Sequence, residues 1–128
     1  MHKNSKHRDG IAALLAKNNY HPTVDDLYER ARNDFPNISL ATVYRNLDQL
    51  HQMGRIARID VPGMPARYDG NTDKHYHILC EKCGHMQDVW IDHNLEDHVD
   101  FDLAIPNYNV VGYNISFTGI CNKCGGGK

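Results

Sequence analysis

Two Cys-x-x-Cys pairs constrain the fold of this chain more than any other feature of its 128 residues. Cys80 and Cys83 form the first pair, and Cys121 and Cys124 form the second. Each Cys-x-x-Cys turn can supply two thiolates to a tetrahedral ion, so two pairs complete a four-cysteine site and leave no position for water. Two redox dithiols or a rubredoxin-like iron site are the alternatives. We predict a structural Zn(II) site whose two halves meet through a sheet.

The composition indicates a soluble globular protein, because 41% of the residues are hydrophobic and 23% are charged. The sequence has no apolar run of membrane-spanning length, and its first ten residues, MHKNSKHRDG, lack the apolar core of a signal peptide. We therefore expect a cytoplasmic protein with no membrane partner, in which paired cysteines indicate metal rather than disulfides.

The balance of basic and acidic residues differs between the two halves of the chain. Residues 1–68 carry 10 Lys/Arg against 7 Asp/Glu, whereas residues 69–128 carry 4 against 9. A basic first half is compatible with an anionic partner, although an excess of three charges does not by itself establish nucleic-acid binding.

The first half has the pattern of three helices. Apolar spacing predicts a helix over residues 6–18, and Thr23 is a suitable N-cap for a second helix that ends before Phe35. Ser39 can cap a third helix, and Gly54 supplies a left-handed stop. The apolar positions of that third helix follow helical spacing: Leu40, Val43, Leu47 and Leu50.

A predicted β-hairpin follows the third helix. Its strands lie within residues 55–61 and 66–69, on either side of a Pro-Gly-Met-Pro turn. Three helices followed by a hairpin is the order of a winged helix-turn-helix. The polar face of the third helix holds side chains able to reach phosphates and base edges, namely Thr42, Arg45, Asn46 and Gln49. A solvated helix face is the simpler interpretation of that pattern.

The second half reads as a small α+β module. We predict strands over Tyr76–Cys80, 86–92 and 108–120, with a short helix over 94–104. A module of about 60 residues buries little apolar surface, so a bound metal that cross-links it would add to its stability.

His75 and His77 suggest a second metal site. Alternate side chains of a strand share a face, so both imidazoles project together, while Cys80 points to the opposite face. Asp88 can pair across from the returning strand, and Asp69 ends the hairpin. Exposed histidines without a metal remain the alternative.

Two motifs give the chain a family resemblance. The run S-L-A-T-V-Y-R-N-L from Ser39, and H-Y-H-I-L-C-E-K-C-G from His75 with a terminal Cys-x-x-Cys, resemble the ferric uptake regulator family. The resemblance implies an α+β protein with an N-terminal winged helix-turn-helix domain over residues 1–68. A hinge near 66–74 and a small C-terminal α/β dimerisation domain over 69–128 would follow. Such proteins are metal-dependent transcriptional regulators, not enzymes.

The resemblance also implies roles for particular residues. The resemblance implies that the four cysteines bind a structural zinc ion. It also implies that a regulatory metal is bound by His21, Asp69, His75, His77 and Asp88. Predicted DNA contacts fall in and just before the third helix, at Ser39, Thr42, Tyr44, Arg45 and Asn46. The expected partners are a second copy of the chain and double-stranded DNA with a palindromic operator, without an organic cofactor.

Within the family the chain most resembles the peroxide-sensing PerR branch, because Asp69 and Asp88 stand where iron-uptake regulators carry glutamates. Lys74 and Tyr113 occupy positions where iron-uptake regulators commonly hold a further metal site. The branch implies regulatory Fe(II) or Mn(II), with His21 and His75 sensitive to oxidation.

Other functions stay open at this point. A regulator of iron, zinc or manganese uptake without peroxide sensing would have the same motifs. A zinc-dependent hydrolase or deaminase would need H-E-x-x-H, or H-x-E with P-C-x-x-C, and the sequence has neither. A rubredoxin-like module would not need the polar third helix.

Overall fold

The computed structural model describes residues 5–17, 19–92, 95 and 105–125. The chain divides into two compact units, Met1–Lys74 and His75–Lys128. The division falls after Lys74 rather than after residue 68, because residues 67–69 pair within the first unit.

Three helices and a two-stranded antiparallel sheet make up the first unit. In chain order the elements are α1 (Ser5–Leu15), α2 (Val24–Ala31), α3 (Leu40–Gln52), β1 (Ala57–Ile59) and β2 (Arg67–Asp69). This is the predicted winged helix-turn-helix order. Two helices end earlier than predicted. In the turn after α2, Asn33 and Asp34 donate to carbonyls only three residues back, which winds the chain more tightly than an α-helix.

The predicted caps of α2 and α3 are confirmed. Asp26 N donates to Thr23 Oγ1 at 3.2 Å, and Thr23 N donates to Asp26 Oδ2 at 3.1 Å, which forms a reciprocal capping box. Thr42 N donates to Ser39 Oγ at 3.1 Å. Gly54 follows α3 with φ +73°, a left-handed conformation that glycine adopts without steric cost. The sequence therefore specifies where α2 and α3 begin and where α3 ends.

One apolar core joins the elements of the first unit. Its buried side chains are Ile11, Leu15, Val24, Leu27, Ala31, Ile38, Val43, Leu47, Leu50, Ile56 and Tyr68. Leu40, predicted on the same apolar face of α3, is 38% exposed instead because it lies in the first turn of the helix.

A three-stranded sheet forms the second unit. Its strands are β3 (Tyr76–Cys80), β4 (Met86–Val89) and β5 (Phe117–Gly119), in the order β4-β3-β5. β3 and β4 run antiparallel, whereas β3 and β5 run parallel. A 3-10 turn, Asn122–Cys124, follows β5.

The prediction of one long strand over residues 108–120 is wrong, because only Phe117–Gly119 is a strand. Tyr108 is 76% exposed and Val111 is 99% exposed, and residues 108–116 form no ladder with the described strands. β-propensity alone does not make a strand without a neighbour to pair with. The predicted helix over 94–104 lies outside the described residues, apart from Leu95. None of the described helices is long and apolar enough to cross a membrane.

Candidate metal centres and the exposed face of the third helix

The four cysteines come together in the second unit. Cys80 and Cys83 lie at the turn between β3 and β4. Cys121 precedes the 3-10 turn that follows β5, Cys124 is the last residue of that turn, and β5 lies beside β3. The four Sγ atoms all lie within 4.8 Å of one another. Cys83 Sγ and Cys121 Sγ are 3.7 Å apart. Sulfurs at ~2.3 Å from a tetrahedral zinc are separated by roughly 3.8 Å, so the four thiols fit a Zn(II) ion.

Backbone N–H groups donate hydrogen bonds to one sulfur of this cluster and favour its thiolate form. Cys121 N donates to Cys80 Sγ at 3.4 Å, and Cys83 N donates to it at 3.5 Å. These donors stabilise the thiolate and lower the pKa of Cys80 to about 6. Hydrogen bonding with the thiols of Cys121 and Cys83 raises the pKa of Cys124 to about 12. A metal that takes all four sulfurs must therefore displace protons as it binds.

A buried pair of possible ligands lies in the first unit. His21 Nε2 is 3.4 Å from Asp69 Oδ2, and their side chains are 1% and 6% exposed. The segment containing His21 lies against β2, since Tyr68 N donates to Pro22 O at 3.0 Å and Arg67 Nη1 donates to His21 O at 3.1 Å. These two hydrogen bonds hold His21 near the end of β2, where Asp69 lies.

Asp69 is itself held by the chain that follows it. Asn71 N donates to Asp69 Oδ1 at 2.9 Å, so that one carboxylate oxygen fixes the turn while the other faces His21. The backbone of Gly70 packs against the end of α1, where a Cβ atom would overlap the carbonyl of Leu15. A glycine is therefore required beside Asp69 for close approach of two backbone segments.

A second group of nitrogen and oxygen donors lies on the β3–β4 sheet. His77 pairs directly with Asp88, as the sequence predicted for the returning strand. Asp88 Oδ1 is 2.9 Å from His75 Nε2 and 3.4 Å from His77 Nε2. The imidazole rings of the two histidines have centroids 4.5 Å apart.

Both groups fit ligation of a divalent ion. Donors at ~2.1 Å from one ion are separated by roughly 3.0 Å in octahedral and 3.4 Å in tetrahedral geometry, the range of the pairs seen here. Imidazole and carboxylate together suit Fe(II), Mn(II) or Zn(II). The first unit offers one imidazole and one carboxylate, from His21 and Asp69. The second unit offers two imidazoles and one carboxylate, from His75, His77 and Asp88.

Trp90 was missed by the reasoning from sequence. Its indole ring stacks on the His75 imidazole, with centroids 4.5 Å apart and planes inclined by 17°. The available signal was spacing, because Trp90 lies two residues beyond Asp88 and alternate residues of a strand share a face.

The exposed face of α3 only partly matches its prediction. Tyr44 is 51% exposed, and Ser39 and Arg45 are exposed, whereas Thr42 is half-buried. Arg45 Nη2 donates to Thr42 Oγ1 at 3.3 Å. Placing Asn46 on this face was wrong: its side chain is buried, and Nδ2 donates to Thr42 O at 2.7 Å.

Comparisons with known proteins agree on one family. The model of the Ferric uptake regulator family matches residues 1–118. The peroxide-responsive repressor PerR of Staphylococcus aureus (strain USA300) is 33% identical over 117 residues, which is 91% of this chain and 78% of that protein.

Solved structures show the same fold. The Campylobacter jejuni peroxide stress regulator is 28% identical with a TM-score of 0.74, over 95% of this chain and 91% of that one. The Helicobacter pylori ferric uptake regulator Fur, whose structure is described as revealing three functional metal binding sites, has a TM-score of 0.75. At 23% identity over 95% of this chain and 81% of that one, it supports the fold alone.

Proposed function

The chain belongs to the ferric uptake regulator family, and from that membership we propose that it is a metal-dependent DNA-binding repressor that senses peroxide. Members of this family are transcriptional regulators rather than enzymes. The observation that carries the proposal is a group of imidazole and carboxylate donors in each unit. Relatives named as peroxide-responsive repressors support the peroxide signal.

We propose that one regulatory ion is bound at once by donors of both units. His21 and Asp69 would supply one imidazole and one carboxylate, and His75, His77 and Asp88 would supply the remainder. Such a site is complete only in one arrangement of the units, so metal favours that arrangement. Moving an equilibrium from 1:99 to 99:1 requires ~5.5 kcal/mol of differential binding, a reasonable contribution from five ligands.

DNA binding is proposed for the exposed side of α3. Tyr44 and Arg45 project from it, and Arg45 can contact phosphate or guanine. A recognition helix of this kind enters the major groove, and a homodimer presents two such helices to a palindromic operator. The metal-favoured arrangement would set the spacing of the two helices. Structural Zn(II) at the four cysteines would hold the second unit together.

Peroxide sensing is proposed to act through the imidazoles. Bound Fe(II) would donate one electron to cleave the O–O bond of hydrogen peroxide and would recover one electron from the oxidised ring, chemistry that Mn(II) and Zn(II) would not supply. At His21 or His75 a ring C–H bond is then replaced by a C–O bond, and the second peroxide oxygen leaves as water. The oxidised ring is a poorer ligand, so the metal is released and the arrangement that binds DNA is lost.

Anaerobic DNA binding with Fe(II) or with Mn(II), followed by peroxide, tests this proposal. We expect both ions to promote binding to a palindromic operator, and peroxide to reverse binding only with Fe(II). Mass spectrometry should find one added oxygen on a peptide containing His21 or His75. Unmodified histidines with intact DNA binding would overturn the peroxide step. Repression that responds to metal and never to peroxide would instead support control of iron, zinc or manganese uptake.

A further inference from the structure

Trp90 occupies a position set by the pairing of β3 and β4. Tyr76 pairs with Val89 and His77 pairs with Asp88, so one further step along the same register places His75 opposite Trp90. Side chains of directly opposed residues lie on the same face of a sheet. Trp90 therefore shares the face that carries His75, His77 and Asp88.

The His75 imidazole is enclosed by this face. The Trp90 indole covers one side of the ring in a nearly parallel stack, with centroids 4.5 Å apart. The His77 ring lies 4.5 Å away at a 59° inclination, and Asp88 Oδ1 is 2.9 Å from Nε2. The His75 side chain is only 2% exposed.

Trp90 itself is not a core residue of the sheet, because 57% of it is exposed. A large aromatic side chain in that position is not needed to fill an interior. The contact that distinguishes it is the stack on His75, a proposed metal ligand.

We propose that Trp90 is a positioning residue that fixes the plane of the His75 imidazole and so raises the affinity of the regulatory site for its metal. This rests on the regulatory role proposed above for His75. A ligand held in its binding orientation loses less rotational freedom on coordination, and groups that orient metal ligands contribute strongly to affinity. An offset aromatic stack is strong enough to change affinity by about 3- to 10-fold.

Trp90 also provides a direct optical readout, since it is the single tryptophan of the sequence. Its indole lies against a proposed ligand ring, so Mn(II) binding at His75 should quench its fluorescence. The same titration should leave the fluorescence of a His75→Ala variant unchanged. This signal reports the stacked pair specifically and does not depend on DNA binding.

The test uses the full zinc-loaded chain and measures Mn(II) affinity by competition with a fluorescent chelator. We expect Trp90→Ala to bind Mn(II) about 3- to 10-fold more weakly, and Trp90→Phe, which keeps a stacking ring, to stay within about 2-fold of the wild type. Gln87→Ala is the matched control, because Gln87 is exposed and lies on the opposite face of β4. Zinc content should be unchanged in all variants.

The outcomes separate this proposal from the one it rests on. A wild-type chain that binds Mn(II) no better than His75→Ala would overturn the regulatory site together with the positioning role. Wild-type binding that depends on His75 but is unaltered in Trp90→Ala would overturn only the positioning role. Equal loss in Trp90→Phe and Trp90→Ala would also overturn it, because stacking would not be the cause.

Discussion

His21 Nε2 lies 3.4 Å from Asp69 Oδ2, and the two side chains are among the few polar groups buried in the first unit. A buried histidine and carboxylate can simply satisfy each other as a structural pair. They can also be two ligands held ready for a metal. The two roles differ in what happens when His21 is removed.

Replacing His21 by Ala should abolish metal-dependent DNA binding and leave structural zinc and dimerisation intact. The proposed site would lose an imidazole that no other residue of the first unit replaces in our ligand set. We expect Mn(II) affinity to fall at least about 100-fold, since even groups that only orient a ligand contribute 10- to 100-fold. Operator binding with and without Mn(II) measures the effect.

His85→Ala is the control for this variant, because His85 is exposed and belongs to neither proposed metal centre. It should bind metal and operator as the wild type does. Activation of the His21→Ala variant by Mn(II) to the wild-type level would contradict the role of His21 and leave the structural pair as the explanation.

Gly70→Ala should destabilise the first unit and weaken regulatory metal binding together. The added Cβ would overlap the Leu15 carbonyl, so either α1 or the turn that holds Asp69 must shift. Overpacking of this kind typically costs about 1–3 kcal/mol in unfolding free energy. Thermal unfolding and Mn(II) titration measure the two effects. Gly112→Ala is the control, since its Cβ would meet no atom within 4 Å, and both quantities should stay unchanged.

Adjacent residues of α3 should respond oppositely to alanine substitution. Arg45→Ala removes an exposed cation, so operator affinity should fall by about 1–3 kcal/mol with little change in folding stability. Asn46→Ala removes a buried side chain that donates to Thr42 O, so stability should fall by about 1 kcal/mol while the folded protein keeps its operator affinity. Chemical denaturation and operator titration of both variants decide this. Loss of DNA affinity in Asn46→Ala alone would show that the face is assigned incorrectly.

Local chemistry explains which features were predictable from sequence. Thr23 with Asp26, Ser39 before α3, and Gly54 after it act within one turn of the chain, and their roles follow from residue type and spacing. The pairing of His77 with Asp88 could also be predicted, because the turn between the two strands is short. His21 beside Asp69 was different: only the family resemblance linked these residues, since their approach depends on docking of the 21–23 segment on β2.

The errors have equally specific causes. Asn46 lies three residues after Val43 and four before Leu50, so it falls on the buried stripe of α3 although its side chain is polar. Its polar side chain suggested an exposed position, whereas its place on the helix determines its burial. In the segment 108–116, β-branched and aromatic residues favour a strand, but the described part of the second unit offers it no pairing partner. Pairing is a property of the fold and not of the segment.

Removal of the structural metal should unfold the second unit and spare the first. Few large apolar side chains are buried in the described part of the second unit, chiefly Tyr76, Leu79 and Met86. Structural Zn(II) sites contribute an apparent ~10–16 kcal/mol in small zinc-dependent folds, comparable to the ~5–15 kcal/mol total stability of a typical domain.

We therefore expect Cys83→Ser to lose zinc and the β3–β4–β5 sheet. Lys82→Ala, in the same turn, should retain both because its exposed side chain is not a metal ligand. Zinc content and limited proteolysis follow the outcome, with the helices of the first unit remaining protected since their core contains no cysteine. A zinc-free Cys83→Ser variant with an intact, protease-resistant second unit would show that apolar packing, not the metal, holds this sheet together.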